Sequence, residues 1–243
     1  MSQPLIGKAA LITGGARRIG REIALRLASA GADISITYRA SESEAEETVG
    51  LIQQMGRNAT ALQCDVRSEE SVRAAVAAAV HFCGRLDLLV NNAAIFESAP
   101  IDELSLDRWD NVFATNARGP FLVSREALRH LRSARGRIIN MGSLGGLRAW
   151  AGHAHYCASK AALHMLTQSM AKAFAPEVAV NCVAPGWIDL GDNQHEDDLR
   201  MAQRTPMRRN GAGKDVAEAV AFFATSPDFI TGQILSVDGG LGL

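Results

Sequence analysis

The 243-residue chain has little net charge, few cysteines and no long apolar run. Its formal net charge is −1, and the charged residues of both signs are spread along the chain. This distribution argues against a nucleic-acid surface and against a polybasic membrane patch. No stretch of about 18 uncharged apolar residues occurs, so no transmembrane helix is predicted. These absences leave small molecules as the expected partners, with no nucleic acid and no membrane.

The cysteines are scattered and match no metal-ligand spacing; they are Cys64, Cys83, Cys157 and Cys182. Without a C-x-x-C or a Cys/His pattern, they indicate free thiols in a reducing compartment and no metal site. Residues 1–10 carry Lys8 and too short an apolar run for a signal peptide. We therefore expect a cytoplasmic protein.

Short β-rich runs alternate with helical patterns along the whole chain. The runs cover residues 9–13, 33–38, 59–63, 86–90, 137–141, 178–183 and 233–237. Helical stretches between strands predict parallel βαβ units, and nearly continuous apolar runs suit a sheet covered on both faces. The length fits one α/β domain. We predict a single-domain, doubly wound Rossmann fold, with a mostly parallel seven-stranded sheet and helices on both faces.

Residues 186–213 interrupt this alternation. The stretch is polar and rich in charge, and it shows no regular helix or strand pattern. Long irregular segments in compact domains are often active-site lids. We predict that this segment covers the substrate.

The first predicted strand runs into a glycine-rich turn, Thr13-Gly14-Gly15-Ala16-Arg17-Arg18-Ile19-Gly20, and a helical pattern follows. Glycines let the backbone turn tightly and approach a pyrophosphate, whose charge is met by the free N–H groups of the helix N-terminus. A strand before the turn and a helix after it are the context that this motif requires. The pattern predicts a dinucleotide site that includes Gly14, Arg17, Arg18, Ile19 and Gly20.

The end of the second predicted strand bears on which dinucleotide binds. It reads Tyr38-Arg39 and lacks the acid that NAD enzymes usually place there for the ribose hydroxyls. Arg39, with Arg17 and Arg18, offers planar donors to a 2′-phosphate and favours NADP(H) over NAD(H). Three solvated surface arginines are the alternative. Asp65, after the third strand, can accept from the adenine amino group or cap a helix.

Tyr156 and Lys160 stand four residues apart in an alanine-rich stretch that predicts a helix, so their side chains share one face. An ammonium beside a phenol favours the phenolate, so the pair predicts acid/base chemistry near neutral pH. A chance polar pair on a surface helix is the alternative. Ser143 follows the strand predicted at 137–141 and therefore lies at the carboxyl edge of the sheet, where open α/β sheets bind ligands.

With further motifs, these residues resemble the short-chain dehydrogenase/reductase family from Lys8 nearly to the C-terminus. The matches, in family order, are the glycine turn, Asp65-Val66, Asn91-Asn92-Ala93-Ala94, Asn116, Ser143, Tyr156 with Lys160, Pro185-Gly186 and Val237-Asp238-Gly239-Gly240. The resemblance implies an NADPH-dependent enzyme that transfers hydride to a carbonyl carbon. It also implies a homotetramer packed through the Tyr156 helix and the C-terminal strand.

The resemblance implies a role for each of four residues. Tyr156 is expected to protonate the carbonyl oxygen, and Ser143 to hydrogen-bond the same oxygen. Lys160 is expected to hold the nicotinamide ribose and depress the pKa of Tyr156, and Asn116 to bend its helix and anchor a water linked to Lys160. The further cofactor contacts that it implies are Tyr38, Asp65, Val66, Asn92, Ala93, Pro185, Gly186 and Ile188.

Some positions depart from the family pattern. Arg18 replaces the middle glycine of the turn, Ala94 replaces a glycine, and Leu190 stands where many members have a threonine that bonds the carboxamide. That last contact is expected to come from the backbone at Ile188 or to be missing.

Two alternatives to carbonyl reduction remain open. Arg18 and Phe96 resemble pteridine reductases, in which an aromatic ring can stack a pterin, although Ser143 stands where those enzymes have Asp. Reduction of a pterin is therefore the second candidate reaction. A nucleotide-sensing protein of the same fold is the non-enzyme alternative. The predicted substrate contacts are Ser143, Tyr156, Phe96 and Trp187, with packing as the alternative for the last two.

Overall fold

The computed structural model describes residues 3–191 and 196–243. Its strands are β1 (Ala9–Ile12), β2 (Asp33–Tyr38), β3 (Ala59–Gln63), β4 (Leu88–Asn91), β5 (Arg137–Met141), β6 (Ala179–Pro185), β7 (Ile188–Asp189), β8 (Gly211–Ala212) and β9 (Ile234–Val237). Seven of them form one sheet in the order β3-β2-β1-β4-β5-β6-β9, and every neighbouring pair is parallel. This confirms the seven predicted strands, whose ends shift by at most two residues.

Helices cover both faces of the sheet. They are α1 (Arg18–Ser29), α2 (Glu42–Gln54), α3 (Glu69–Cys83), α4 (Leu106–Phe113), α5 (Gly119–Ala134), α6 (Ala154–Phe174), α7 (Glu196–Arg204) and α8 (Gly213–Thr225). One apolar core joins the sheet to α1, α2 and α8, and a second core joins its other face to α3, α5 and α6. Adjacent strand residues such as Leu11 and Ile12 enter opposite cores, because side chains alternate across a strand.

The order of strands reverses between β1 and β4, and this reversal opens a crevice at their carboxyl ends. The segments after the two strands are tied together there. The Oγ1 of Thr13 accepts hydrogen bonds from the backbone N–H groups of Asn92 and Ala93, at 2.9 and 3.0 Å. The Nδ2 of Asn92 donates to the carbonyl of Gly14 at 2.9 Å. The glycine turn and the segment after β4 therefore form one wall of the crevice.

The segment 186–213 is more regular than its composition predicts. It contains α7 and the short parallel pair β7–β8, so the expectation of an irregular stretch is wrong. Contacts distant in sequence impose this order: the indole N–H of Trp187 donates to the carboxylate of Asp198 at 2.7 Å, and the amide of Asn210 donates to the Asp198 carbonyl at 2.9 Å. The part of the predicted lid at 192–195 lies outside the described residues.

All four cysteines are free thiols. Over the described ranges, no helix is long and apolar enough to cross a bilayer. No cluster of three or more His, Cys, Asp or Glu side chains that could hold a metal ion occurs in that part of the chain either.

Candidate active site

Two adjoining cavities lie along the carboxyl edge of the sheet, each of about 390 Å³. The first, which we call the turn cavity, is lined by the glycine turn, the end of β2 and the segment after β3. The second, which we call the tyrosine cavity, is lined by Ser143, Tyr156 and Lys160. The two cavities share the lining residues Ile19, Asn92, Ala94 and Leu190. A long ligand can therefore lie across both.

The backbone of the glycine turn leaves room for a ligand beside the N-terminus of α1. A Cβ on Gly20 would lie 2.2 Å from the carbonyl oxygen of Gly14, so only glycine fits there. Arg18 adopts a left-handed φ of 52°, a conformation that favours glycine, although it has a side chain. The first turn of α1 contains no acidic residue. The N–H groups and the dipole at this helix N-terminus suit a phosphate anion.

Arginines surround the same cavity. Arg17, Arg18 and Arg39 line it and are exposed on its rim, which gives it planar donors for an additional phosphate. Asp65 lines it as well, and its hydrogen bonds with Arg67, at 2.9 Å from Nε, hold the pKa of its carboxyl below the usual value. Glycine turn, helix N-terminus and guanidinium groups together fit a dinucleotide that carries an extra phosphate.

Each residue predicted from the sequence to contact the cofactor lines one of the two cavities. Those in the turn cavity are Gly14, Arg17, Arg18, Ile19, Gly20, Tyr38, Arg39, Asp65, Val66, Asn92 and Ala93. Those in the tyrosine cavity are Tyr156, Lys160, Pro185, Gly186 and Ile188. Asn92 differs from the rest because its side-chain amide is committed to the turn, where it donates to the carbonyls of Thr13 and Gly14.

Tyr156 lies in the wall of the tyrosine cavity and is 9% exposed. Burial raises the pKa of its phenol to about 12, and a hydrogen bond with Ser143 opposes this rise. The pKa depression expected from Lys160 is absent, so that expectation is corrected. Desolvation of the phenolate outweighs any nearby charge, because burial in an apolar wall penalises the charged form. At neutral pH the phenol therefore holds its proton.

Lys160 is buried, and its ammonium points to the end of β5. Nζ donates a hydrogen bond to the carbonyl oxygen of Met141 at 2.7 Å and lies 5.8 Å from the ring centroid of Tyr156. Burial lowers the pKa of Lys160 to about 8. The tyrosine and lysine share one face of α6, as their spacing predicts, and that face lies against β5.

Asn116 lies in a π-helical turn, Ala114–Arg118, between α4 and α5. Its amide is fully buried and satisfied: Oδ1 accepts from the backbone N–H of Ile95 at 2.8 Å. Nδ2 donates to the Ile95 carbonyl at 2.9 Å and to Ser159 Oγ at 3.1 Å. Asn116 lines neither cavity, and these contacts fix the segment after β4 to the helix that carries the tyrosine.

The predicted substrate contacts Phe96, Ser143, Tyr156 and Trp187 all line the tyrosine cavity. Sequence reasoning did not select Trp150 and Asp198, which line it too. It also missed a buried imidazole beneath the cavity, which belongs to His164. The only available signal for His164 was its place four residues after Lys160, on the same helical face.

Comparisons with known proteins agree with this architecture. A family model described as enoyl-(acyl carrier protein) reductase matches residues 14–242. A 3-oxoacyl-(acyl-carrier-protein) reductase of Staphylococcus epidermidis is 37% identical, over 97% of this chain and 99% of the relative. Two solved structures each cover 99% of this chain and 100% of their own. One is a short-chain dehydrogenase/reductase of Serratia marcescens, with a TM-score of 0.94 and 39% identity, and the other is a short chain dehydrogenase of Burkholderia cenocepacia in complex with NADP, with a TM-score of 0.92 and 41% identity.

Proposed function

The chain belongs to the short-chain dehydrogenase/reductase family of oxidoreductases, and we propose that it reduces the carbonyl group of a small molecule with NADPH. The observation that carries the proposal is the meeting of Ser143, Tyr156 and Lys160 in one cavity that adjoins the phosphate-binding turn. A sensor of the nucleotide needs the turn but has no use for a buried proton donor in the neighbouring cavity.

The proton comes from the tyrosine in this proposal. A phenol with a pKa of about 12 is protonated at neutral pH and can donate to an oxygen on which negative charge develops. The Ser143 hydroxyl is buried in the same wall, where it hydrogen-bonds Tyr156, and its Oγ accepts a hydrogen bond from the backbone N–H of Gly145 at 3.0 Å. Accepting the bond from Gly145 does not use the hydroxyl proton, which can turn toward a substrate oxygen that lies beside Tyr156.

NADPH, when bound, supplies the hydride. The turn cavity and the N-terminus of α1 would hold its phosphates, Arg17, Arg18 and Arg39 its 2′-phosphate, and Lys160 its nicotinamide ribose. The NADP complex of the Burkholderia cenocepacia relative supports this assignment, as does the NADPH complex of a metagenomic blue fluorescent protein. Leu190 lines both cavities where a threonine was expected, so we assign the carboxamide contact to the backbone of Ile188.

A second candidate reaction is reduction of a pterin. Phe96 lines the tyrosine cavity with its ring 4.9 Å from that of Tyr156, which offers a flat substrate an aromatic neighbour. Ser143 in place of a carboxylate makes this the weaker candidate, because a hydroxyl cannot pair with the amino group and ring nitrogen of a pterin as a carboxylate can.

We further propose that the chain forms one domain, in which the segment 186–213 closes over the substrate. We also propose that the protein is cytoplasmic and that it assembles as a homotetramer. Exposed apolar side chains on and near the proposed packing elements support association; they are Met165 on α6, Leu235 on β9 and Leu243. Light scattering of the purified protein tests the assembly, and a monomeric mass would contradict it.

The reaction is tested by following NADPH oxidation by the purified protein with an acetoacetyl thioester and with dihydrobiopterin, and repeating both assays with NADH. Turnover of the thioester with NADPH supports carbonyl reduction. Turnover of the pterin alone would select the second reaction. NADPH binding without turnover of any substrate would leave the sensor as the better description.

A further inference from the structure

Aromatic residues are scarce in this chain but concentrated at the tyrosine cavity. The sequence has three tryptophans, two tyrosines and eight phenylalanines. Two of the tryptophans and one of the tyrosines line this one cavity, together with a phenylalanine; they are Phe96, Trp150, Tyr156 and Trp187. We call Phe96, Trp150 and Trp187 the aromatic wall. Of these four residues, the carbonyl reduction proposed above uses only Tyr156.

Two rings of the aromatic wall lie next to the proton donor. The Phe96 ring meets the Tyr156 ring edge-to-face, with centroids 4.9 Å apart and an angle of 81°. The Trp150 ring lies nearly parallel to the Tyr156 ring, at 17° and 6.3 Å. Phe96 is 55% exposed, which leaves much of a large apolar side chain uncovered beside the Tyr156 ring. A substrate ring can cover it, because aromatic pairs form at these separations.

The Phe96 side of the aromatic wall is held by contacts with its neighbours. Glu97, next to Phe96, hydrogen-bonds Nε2 of His155 at 3.2 Å and accepts from Nε of Arg108 at 3.3 Å. The Phe96 ring also stacks on that of His153, at 4.9 Å and 12°. A preorganised aromatic surface loses little conformational entropy on binding, so it favours a rigid flat ligand.

The charged side chains that line the tyrosine cavity make hydrogen bonds within the protein. Of the described residues that line it, the charged ones are Lys160, Asp189 and Asp198. The ammonium of Lys160 is directed at the carbonyl of Met141. Asp189 accepts a hydrogen bond from the backbone N–H of Gly191 at 2.8 Å, and Asp198 accepts one from the indole N–H of Trp187 at 2.7 Å. These charged groups are thus held by contacts within the protein, and the aromatic rings supply the apolar surface of the cavity.

We infer that the substrate is a ketone whose carbonyl group is bonded directly to an aromatic ring, which packs against Phe96 and Trp150. This inference rests on the proposed carbonyl reduction and narrows it to a substrate class. The carbonyl group is assigned to a carbon bonded directly to the substrate ring because the Phe96 and Trp150 rings both lie against Tyr156. The hydroxyl of Tyr156 must reach the carbonyl oxygen, so the carbonyl group and the substrate ring have to be close together.

The test compares acetophenone with cyclohexyl methyl ketone, which have the same carbon skeleton with an aromatic or a saturated ring. The purified protein is assayed with NADPH, and kcat/KM is determined for each ketone. We expect acetophenone to be preferred by about 10-fold, which is near the upper value of one aromatic pair. Conjugation makes acetophenone the less electrophilic ketone, so a preference for it must come from binding.

Substitutions in the aromatic wall test whether it causes the preference for acetophenone. Phe96→Leu and Trp150→Leu should each lower kcat/KM for acetophenone about 3- to 10-fold and change that for cyclohexyl methyl ketone less. Trp150→Phe, which keeps an aromatic face, should retain most of the preference. Phe82→Leu is the matched control, because Phe82 is a half-exposed phenylalanine on α3 that does not line the tyrosine cavity.

Failure of this inference and failure of the proposed function would give different results. Equal kcat/KM for the two ketones, or equal losses on both ketones in the aromatic-wall variants, would overturn the inference and leave carbonyl reduction intact. Absence of NADPH oxidation with both ketones and with the acetoacetyl thioester would instead contradict the proposed function, and the inference with it.

Discussion

The backbone N–H of Ser143 donates a hydrogen bond to Nε2 of His164, 3.4 Å away. His164 lies on α6 one turn after Lys160, and its ring fills the space beside Gly142, where a Cβ would lie 2.3 Å from Nε2. Burial and the neighbouring Lys160 ammonium lower the pKa of His164 to about 4. The imidazole is therefore neutral at physiological pH, and its Nε2 can accept the bond that holds the Ser143 turn.

We predict that His164 positions the Ser143 turn for reaction. His164→Leu should lower kcat by up to about 100-fold, because a small displacement of the serine hydroxyl disrupts the reacting geometry. NADPH binding, followed by the fluorescence of the bound cofactor, should change little. His164→Asn, which keeps a side-chain acceptor, should recover part of kcat. An unchanged kcat in His164→Leu would show that the turn holds its shape without this bond.

The same histidine should make the protein sensitive to acid. Its pKa is 6.5 as an unperturbed group and about 4 in the fold, so the unfolded state binds more protons between these values. Stability therefore falls as the pH drops from about 6.5 to about 4, by up to about 3 kcal/mol. Urea unfolding across this range measures the slope, which His164→Asn should reduce. An identical slope in the variant would assign the acid sensitivity to other groups.

Lys160 should make the unfolding free energy depend on pH in the alkaline range. Its pKa is about 8 in the fold and 10.5 unperturbed, so the native state binds fewer protons between these values. The cost of burying the ammonium is fully present below about pH 8 and is relieved as the pH rises toward 10.5. Lys160→Met should abolish turnover and flatten the rise of the unfolding free energy in this window. A slope equal to that of the wild type would indicate that the ammonium is better solvated than its surroundings imply.

Tyr156→Phe tests the proton donor. The change removes only the hydroxyl, so kcat should fall about 100- to 10,000-fold, the usual contribution of a positioned general acid. The affinity for NADPH, measured by titration of protein fluorescence, should be nearly unchanged because the ring remains. Retention of most activity would mean that another group protonates the substrate oxygen.

Arg39→Asp tests the choice of cofactor. Replacing a guanidinium by a carboxylate at the rim of the turn cavity should reduce the ratio of kcat/KM for NADPH to that for NADH about 10- to 100-fold, the value of one charge-assisted hydrogen bond. Arg73→Asp is the control, since it makes the same charge change at an exposed site on α3. Similar ratios in both variants would attribute the effect to net charge rather than to a 2′-phosphate contact.

Much of the architecture follows from the sequence because it depends on local patterns. The seven β-rich runs, the glycine turn between β1 and α1, and the helical spacing of Tyr156 and Lys160 are each contained in a few consecutive residues. The location of the site also follows from the sequence, because the carboxyl ends of parallel strands meet at one edge of the sheet. Arg18, which replaces the family's middle glycine, keeps a left-handed φ of 52° at that position of the turn.

Contacts between distant segments are decided only in the tertiary structure. The Lys160 ammonium meets the Met141 carbonyl, and His164 meets Ser143, because α6 packs against the end of β5. The high pKa of Tyr156 arises from burial, which no spacing of residues encodes. Trp187 and Asp198, eleven residues apart, are joined by a hydrogen bond in the same way. Hydrogen bonds, burial and ring contacts are properties of the assembled fold, whereas periodicity and turn chemistry belong to the chain itself.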